Sequence, residues 1–488
     1  MALPTTNNGP DGHRLDTASV QAAAPERPTR YWIGVLAILL LLTEQSALGF
    51  SLFAPTLPKV AAEFQTTQVV WVMTAFTLSG AVASPIIGKL ADRYGKKKML
   101  VVTAAIGALG ALVSATATAF PVLVAGRFLS GAGFACLALG YTLIRDTFPA
   151  RLQPISISIA NTGVGAVGVG ALLVAGVLID HLGVRSVFWF AFGFCAIGAL
   201  LTLIFVPETP IRSRSRIDWL GAILLAASMF VIMLGLSRGK EWGLTDSRTL
   251  TCVGIALVGF AVWVWWERRT DEPLIRLDLI TKPALRYTLI GGGIAYGATT
   301  LLASLTPMLL QASKSTPYGF GLSATQMAGW LLPGQLMIVA SGFIVGATAK
   351  RIGFRNHLVF GAVFIAVAAA ILSAVPTVPL VIVGAWVVFG LGCMIYAAVP
   401  NLALLSLPET ERAVGSNFVG VAQTLAGTLI STIGFTVLAH YVLATDGHAM
   451  AYEAAGFRGA FLVAVAAAAI GALVALAVPK PVRAETTN

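Results

Sequence analysis

Fourteen strongly apolar stretches follow one another along the chain, and each is about as long as a helix that crosses a lipid bilayer. About 20 apolar residues, rising 1.5 Å each, cover the roughly 30 Å hydrocarbon layer. Of the 488 residues, 57% are hydrophobic and 11% charged, and the mean hydropathy is +0.85. Soluble domains carry roughly 25% charged residues. The sequence therefore predicts an all-α, polytopic membrane protein with fourteen transmembrane helices.

The predicted spans are numbered one to fourteen in chain order. Charged residues separate most of them, and at two junctions Pro121 and the pair Pro376 and Pro379 mark the break, because proline interrupts a helix interior. The spans are predicted to start near Tyr31, Val69, Leu100, Pro121, Ile155, Ser186, Asp218, Leu250, Tyr287, Ala324, Leu358, Val378, Val414 and Gly459.

The distribution of basic residues predicts the orientation, since short loops rich in Lys and Arg stay on the cytoplasmic side. With the amino terminus inside, 24 of the 32 Lys and Arg residues lie in cytoplasmic segments and seven in outside loops. The remaining one, Arg127, lies within span four. We therefore expect both termini in the cytoplasm and a multi-pass protein of the plasma membrane, which in a bacterium is the inner membrane.

The same distribution explains the net charge of +11 without a nucleic-acid partner. Residues 1–30 contain no apolar run before a small-residue cleavage site, so no cleavable signal peptide is predicted. The four cysteines lie inside spans without paired spacing, which argues against disulfides and a zinc site. No metal-ligand cluster, nucleophile triad or phosphate-binding loop occurs, so we expect no catalytic residue, no metal, no cofactor and no enzyme.

Two landmarks repeat along the chain at nearly one offset. Gly88 and Gly95 after span two correspond to Gly346 and Gly353 after span ten, and Val-x-Val and Gly-x-Gly patterns recur in spans four and twelve. This indicates two related six-helix bundles, as transporters often have. The predicted organisation is a cytoplasmic tail (1–30), an amino-terminal bundle (31–206), a linker with two inserted helices (207–284), a carboxy-terminal bundle (285–479) and a second tail (480–488).

Several segments resemble the major facilitator superfamily. Residues 88–98, Gly-Lys-Leu-Ala-Asp-Arg-Tyr-Gly-Lys-Lys-Lys, are similar to its loop signature. Residues 71–76 and 127–133 resemble the flanking signatures. Residues 207–210, 217–221, 241–243 and 267–274 are similar to the fourteen-helix drug/proton antiporter branch. The resemblance covers roughly residues 30–480 and implies two bundles that rock about a central substrate path.

The signature loop supplies the predicted gating residues Gly88, Asp92, Arg93 and Gly95. Glycine suits a tight turn, and Asp92 can meet a helix amino terminus or a basic partner across the bundle interface and so stabilise one conformation. For Lys96 and the two lysines after it we expect only anchoring to the cytoplasmic face.

Two departures from the family pattern bear on mechanism. Where the family usually has an acid ahead of Thr56-Leu57-Pro58, this chain has Gly49. Where antiporters have Gly-Pro in span five, it has Ala171-Leu172. The first departure prevents a transfer of the family's proton site to this chain, and the second weakens the case for antiport.

Ionisable residues deep in a bilayer cost roughly 3 kcal/mol on insertion scales, so they are candidates for function. Glu44 in span one and Arg127 in span four are the two deep ones. Desolvation disfavours the carboxylate form of Glu44, which makes it a plausible proton carrier; the alternative is a permanently protonated, structural Glu44. Arg127 stays charged and needs acceptors. The resemblance implies that Arg127 takes part in proton relay; the alternative is helix positioning.

Substrate contacts are expected between the bundles near the middle of the membrane. Each polar candidate can equally be a helix–helix hydrogen bond. The candidates are Gln45, Tyr141, Asn161, Gln335, Tyr396, Asn401, Asn417 and Gln423.

The expected function is secondary active transport, namely proton-coupled export of small hydrophobic or amphipathic compounds by alternating access. The expected partners are this small-molecule substrate, protons and membrane lipid, and we expect a monomer. One alternative is a uniporter or proton symporter for an organic metabolite. An alternative of another class is a membrane receptor or scaffold that binds ligand without transporting it.

The predicted topology places Lys96 inside and Arg238 outside. Cysteines introduced one at a time at Lys98, in the same loop as Lys96, and at Arg238 should react with an impermeant maleimide from opposite sides of the membrane. Reaction of both from one common side would contradict the arrangement of the bundles.

Overall fold

The structure is a computed structural model, and it describes residues 28–209, 218–242, 246–270, 273, 277–314, 316, 318–374, 378–407, 412–443 and 451–479. Almost all of these residues are helical. Every predicted span is matched by a helix that begins within five residues of the predicted start.

The amino-terminal bundle contains spans one to six. Spans one and four are interrupted, and the other four are single helices. Span one consists of Thr29–Thr43, Gln45–Ser51, Ala54–Thr56 and Leu57–Glu63, and span four of Phe120–Ser130, Gly131–Phe134 and Ala135–Thr147. Spans two, three, five and six are Trp71–Tyr94, Lys96–Ala115, Gln153–Leu182 and Arg185–Phe205.

The inserted pair and the carboxy-terminal bundle complete the chain. A short helix, Leu277–Ile280, precedes span nine, and span twelve is interrupted like span four. The bounds of spans seven to fourteen are Trp219–Trp242, Ser247–Glu267, Pro283–Gln311, Ala324–Ile352, Phe354–Ala374, Pro379–Gly392 with Ile395–Leu405, Arg412–Ala439 and Ala454–Leu476. A ribbon not expected from the sequence pairs Val442–Leu443 antiparallel with Ala451–Tyr452.

Among the described residues, ten helices are long and apolar enough to cross a membrane, and up to eleven if the bent first pair counts as one span. In spans five, seven and thirteen the described apolar part is shorter, namely Val167–Leu182, Trp219–Ile232 and Leu425–Ala439. The all-α, polytopic prediction is confirmed, and the count of fourteen spans stays a prediction.

Corresponding backbone positions in the two halves support the internal repeat. Span two ends at Gly95, with φ of 109°, and span ten ends at Gly353, with φ of 80°. Both glycines adopt a conformation that side chains disfavour, so each stops its helix where the other half does. Gly88, by contrast, lies inside the helix Trp71–Tyr94 with open space around it. The expectation that Gly88 forms the turn was therefore wrong, because the helix continues for six more residues.

Close helix contacts repeat at the same offset. A methyl group on Gly131 would lie 2.2 Å from the carbonyl oxygen of Phe76, and one on Gly390 would lie 2.4 Å from that of Gly334. Spans two and four therefore touch through backbone in the first half, as spans ten and twelve do in the second. Small residues permit such contacts inside membranes, where dispersion forces replace the hydrophobic effect.

The inserted pair forms an antiparallel hairpin closed by Asp218. Its carboxylate accepts hydrogen bonds from the Gly221 backbone N–H at 2.9 Å and from Trp266 Nε1 at 3.0 Å. Span seven packs against span two of the first bundle and span thirteen of the second. The hairpin therefore covers a seam between the bundles.

Replacement of Gly390 by alanine should destabilise the protein by about 1–3 kcal/mol, because the new methyl group meets an immobile backbone carbonyl. The midpoint of thermal unfolding in detergent should fall by a few degrees. Gly384 of the same helix is the matched control, since a methyl group there meets nothing within 4 Å. A Gly390→Ala midpoint equal to that of Gly384→Ala would contradict the close contact.

Candidate functional site

Span one bends by 42° at Glu44, where the helix Thr29–Thr43 ends. The Glu44 side chain is 1% exposed. Oε1 lies 3.4 Å from the Thr43 hydroxyl, which also lies 3.3 Å from the Leu40 carbonyl oxygen. Oε2 has no hydrogen-bond partner among the described residues. A buried acid with incomplete hydrogen bonding thus stands at the one sharp break in the first span.

Span four lies directly beside this acid. A methyl group on Gly140 would meet Thr43 Cγ2 at 2.2 Å, so the two helices touch next to Glu44. Tyr141, the following residue, is half-buried and within electrostatic range of the Glu44 carboxyl. The structure therefore brings together Glu44 and Tyr141, which the sequence assigned to proton coupling and to substrate binding.

Gln45 is held inside the amino-terminal bundle. It is 4% exposed, and its Nε2 lies 2.8 Å from the sulfur of Cys195 in span six. Gly107 and Gly133 make room for the amide, since a methyl group on either would lie within 2.7 Å of it. These contacts are those of a packing residue in this conformation rather than of one that lines an open cavity.

Arg127 is 2% exposed and has no carboxylate partner among the described residues. Nε donates to the Val72 carbonyl at 3.0 Å and a terminal nitrogen to the Gly49 carbonyl at 3.0 Å. The guanidinium carbon lies 3.9 Å from the centre of the Phe53 ring and 4.4 Å from that of Phe76. Two carbonyls and two rings thus stabilise the charge, as cation–π geometry allows.

At Gly49, where the resemblance led us to expect an acid, an aromatic ring takes the place of a side chain. A methyl group at Gly49 would lie 2.2 Å from Phe76 Cζ, so the ring occupies the space of a side chain. The exposed backbone carbonyl of the same residue then accepts the hydrogen bond from Arg127. An aromatic ring and a carbonyl dipole here replace a charged pair.

In the carboxy-terminal bundle, an apolar side chain occupies the position that corresponds to Arg127. Trp386, which corresponds to Arg127 in the repeat, is 2% exposed and stacks on Phe389 at 4.4 Å. Gly334, which corresponds to Phe76, lies against the indole, since a methyl group there would be 2.2 Å from Trp386 Cδ1. At this repeated position, therefore, the amino-terminal bundle carries a buried charge and the carboxy-terminal bundle an apolar ring.

The carboxy-terminal bundle contributes an aromatic and hydroxyl cluster. The Tyr396 ring is 40% exposed and packs edge-on against Tyr296 at 5.6 Å. Its hydroxyl donates to Thr299 Oγ1 at 3.3 Å. Tyr296 and Thr299 were not predicted from the sequence, because hydroxyl groups are common in such helices and carry no distinctive spacing.

The other predicted substrate residues are scattered. Asn401 is exposed and donates to the Ala397 carbonyl of its own helix. Gln335 and Gln423 are half-buried. The side chains of Asn161 and Asn417 lie outside the described residues. Among the described side chains, no hydrogen bond joins Asn401, Gln335 or Gln423 to Tyr396.

Beside the signature loop after span two, Glu208 makes contacts that the sequence did not predict. Its carboxylate accepts from the backbone N–H groups of Lys97 and Lys98, at 2.9 and 3.2 Å. These belong to the first turn of span three, where the helix dipole favours an anion. Glu208, which follows span six, therefore binds the helix amino terminus beside the signature loop.

The contacts of Asp92 and Lys96 differ from those expected from the sequence. Lys96 is 6% exposed and forms an ion pair with Asp146 of span four, so it is more than a surface anchor. Asp92 is half-buried, makes no hydrogen bond to a described residue, and has Lys96, Asp146 and Arg145 as its charged neighbours. All three belong to the same bundle. Arg93 is exposed.

At the opposite, outer end, hydrogen bonds join the two bundles. Asp180 of span five accepts from the backbone N–H groups of Ala324 and Thr325, at 3.0 and 2.8 Å, in the first turn of span ten. Gln311 Nε2 donates to the Pro55 carbonyl at 3.0 Å. Asp180 was missed as a functional residue because no motif in the sequence links it to span ten.

Deeper in the outer half, the hydroxyl groups of Thr77 and Thr428 lie 2.9 Å apart across the bundle interface. Together with the bonds of Asp180 and Gln311, this contact joins the two bundles.

Comparisons with known proteins agree with this architecture. The sequence model of the Major Facilitator Superfamily matches residues 39–431. The multidrug resistance protein Stp of Mycobacterium tuberculosis is 27% identical over 376 residues, which are 75% of this chain and 67% of Stp. The riboflavin transporter RibZ of Clostridioides difficile is 24% identical over 446 residues, 89% of this chain and 94% of RibZ.

Among solved structures, the peptide transporter POT in complex with sulfate superimposes with a TM-score of 0.65. The superposition covers 95% of this chain and 98% of the peptide transporter chain, at 15% sequence identity. At that identity the likeness supports the fold alone. The family match over most of the chain is decisive: the protein belongs to the major facilitator superfamily and is a multi-pass membrane transporter.

Proposed function

We propose that this transporter exports small hydrophobic or amphipathic compounds across the bacterial plasma membrane in exchange for protons. The observation that carries the proposal is the environment of Glu44, 1% exposed with Oε2 unpartnered among the described residues. A buried carboxylate whose one donor is a hydroxyl group at 3.4 Å costs several kcal/mol. Glu44 therefore holds a proton while enclosed, and releases it when rocking of the bundles gives it access to water.

Arg127 acts beside this carrier by holding the helices in place. The guanidinium stays protonated in proteins, so it does not itself exchange the proton. Its bonds to the carbonyls of Gly49 and Val72 tie span one to spans two and four. Since Gly49 lies five residues after Glu44, this tie fixes the segment that follows the bend.

Access alternates through contacts at the two ends of the molecule. At the outer end, Asp180 joins span five to the amino terminus of span ten. At the cytoplasmic end, the charged neighbours of Asp92 among the described residues belong to its own bundle. We propose that opening of the outer contact coincides with a new contact of Asp92 across the cytoplasmic interface, with Gly95, Gly88 and Arg93 completing that gate.

The substrate class follows from the composition of the central region. Exposed Tyr396 offers an aromatic ring and a hydroxyl group, and the surrounding helices are largely apolar. The polar side chains that interrupt these helices, Gln335, Asn401 and Gln423, are uncharged amides, which suits a neutral or cationic amphipathic molecule. The similarity to a multidrug resistance protein supports the same class.

A second candidate is a uniporter or proton symporter for an organic metabolite. It is favoured by Gly49, which is filled by Phe76 rather than by an acid, and by Ala171-Leu172 in span five. The similarity to a riboflavin transporter is compatible with it. Everted vesicles under an imposed pH gradient separate the two, since substrate should accumulate inside them only for proton-driven export.

Replacement of Glu44 by glutamine should abolish proton-driven flux and leave substrate binding within about two-fold of wild type, because the amide keeps the shape but carries no exchangeable charge. Flux is measured in everted vesicles and binding by thermal shift with the same compound. Glu453→Gln is the control, since this acid is exposed at the outer end. Undiminished flux in Glu44→Gln that still depends on the pH gradient would overturn the assignment.

Replacement of Asp180 by asparagine should raise the population open to the outside by roughly two- to thirty-fold, since it removes a charge at a helix amino terminus. Distances between spin labels on the exposed residues Leu182 and Lys314 measure the shift. Glu63→Gln is the control, because Glu63 pairs with Arg185 within one bundle. An unchanged distance distribution in Asp180→Asn would contradict an outer gate.

A further inference from the structure

The cytoplasmic end of span eight carries a groove of about 570 Å³ that the transport mechanism does not use. Apolar side chains form one part of it, and two arginines stand at its end. The lining residues are Phe260, Ala261, Val264, Trp265, Arg268 and Arg269.

The two arginines are free to bind an anion. Arg268 and Arg269 are both exposed, and no carboxylate among the described residues lies within ion-pair distance of either. Of the nearby acids, the two that the structure describes face the other way: Glu267 is 2% exposed, and its Oε2, like Asp218 Oδ2, lies close to Gly221 inside the hairpin. Asp271 and Glu272 lie outside the described residues. The positive charge is therefore presented on the outer surface of the helix pair.

The arginines also stand at the depth of the lipid headgroups. They directly follow the last turn of the helix Ser247–Glu267, whose exposed face is strongly apolar, with Leu257 60% and Val258 64% exposed. Trp265 is 51% exposed, and the Arg269 guanidinium lies over its ring at 4.4 Å. Tryptophan and arginine at a helix end are typical of the membrane interface.

We propose that this groove binds an anionic phospholipid of the cytoplasmic leaflet. Arg268 and Arg269 hold the headgroup phosphate, since guanidinium groups match its geometry. An acyl chain follows Phe260, Ala261 and Val264 along span eight. Span seven of the same hairpin packs against both bundles. The lipid therefore lies on the lipid-facing side of the hairpin, opposite to the side that covers the seam between the bundles.

The test is a titration of the purified, delipidated full-length protein with phosphatidylglycerol and with phosphatidylcholine, followed by native mass spectrometry. Near a membrane surface each arginine contributes about a five-fold preference for anionic lipid, so phosphatidylglycerol should bind about 25-fold more tightly. The double variant Arg268→Gln/Arg269→Gln should lose this preference. Lys350→Gln/Arg351→Gln removes two exposed charges at the cytoplasmic end of span ten and should keep it.

Equal binding of the two lipids by the wild type, or an unchanged preference in Arg268→Gln/Arg269→Gln, would overturn the proposal. So would a dimer that dissociates in this variant, because the groove would then be an interface between copies of the chain. If the variant fails to fold, a photoreactive phosphatidylglycerol on the unaltered protein decides. Cross-links should then map to residues 260–269, and cross-links confined to other segments would contradict the site.

Discussion

The absence of water from the hydrocarbon layer is the constraint on which the structure depends. Each buried polar group must find its partner within the protein, and helices can approach closely only where side chains are small. Both demands meet where span four packs in the amino-terminal bundle. Gly131 touches the backbone of span two, and Arg127 uses the carbonyls thereby brought within reach.

The two halves meet this constraint with different side chains in one backbone arrangement. The contact between Gly131 and Phe76 recurs between Gly390 and Gly334. In the first half the large group on span four is a cation facing an aromatic ring, and in the second it is Trp386 facing a glycine. At this position the exchange leaves a charged group in the first bundle and an apolar one in the second. In the proposed mechanism, the groups that handle the proton therefore lie in one bundle.

Two carboxylates at helix amino termini stabilise opposite ends of the molecule. Glu208 binds the start of span three within one bundle, and Asp180 binds the start of span ten across two bundles. The physical interaction is the same, but the first ties a linker to its own bundle and the second joins the two bundles. The second contact is therefore the one that we propose as the outer gate.

The sequence by itself determined the class, the helix positions and the repeat, because apolar length and glycine spacing are local properties of the chain. The glycine pairs after spans two and ten, together with the patterns shared by spans four and twelve, aligned the two halves. The sequence also singled out Glu44 and Arg127, since charge is rare in apolar helices. It placed Gly88 wrongly in a turn, because helix continuation depends on neighbours. Only the tertiary structure decided that Phe76 fills the space beside Gly49, that Glu208 rather than Asp92 binds a helix terminus, and that Asp180 meets span ten. Each is a contact between residues more than 20 positions apart, and sequence spacing does not encode which surfaces of packed helices face each other.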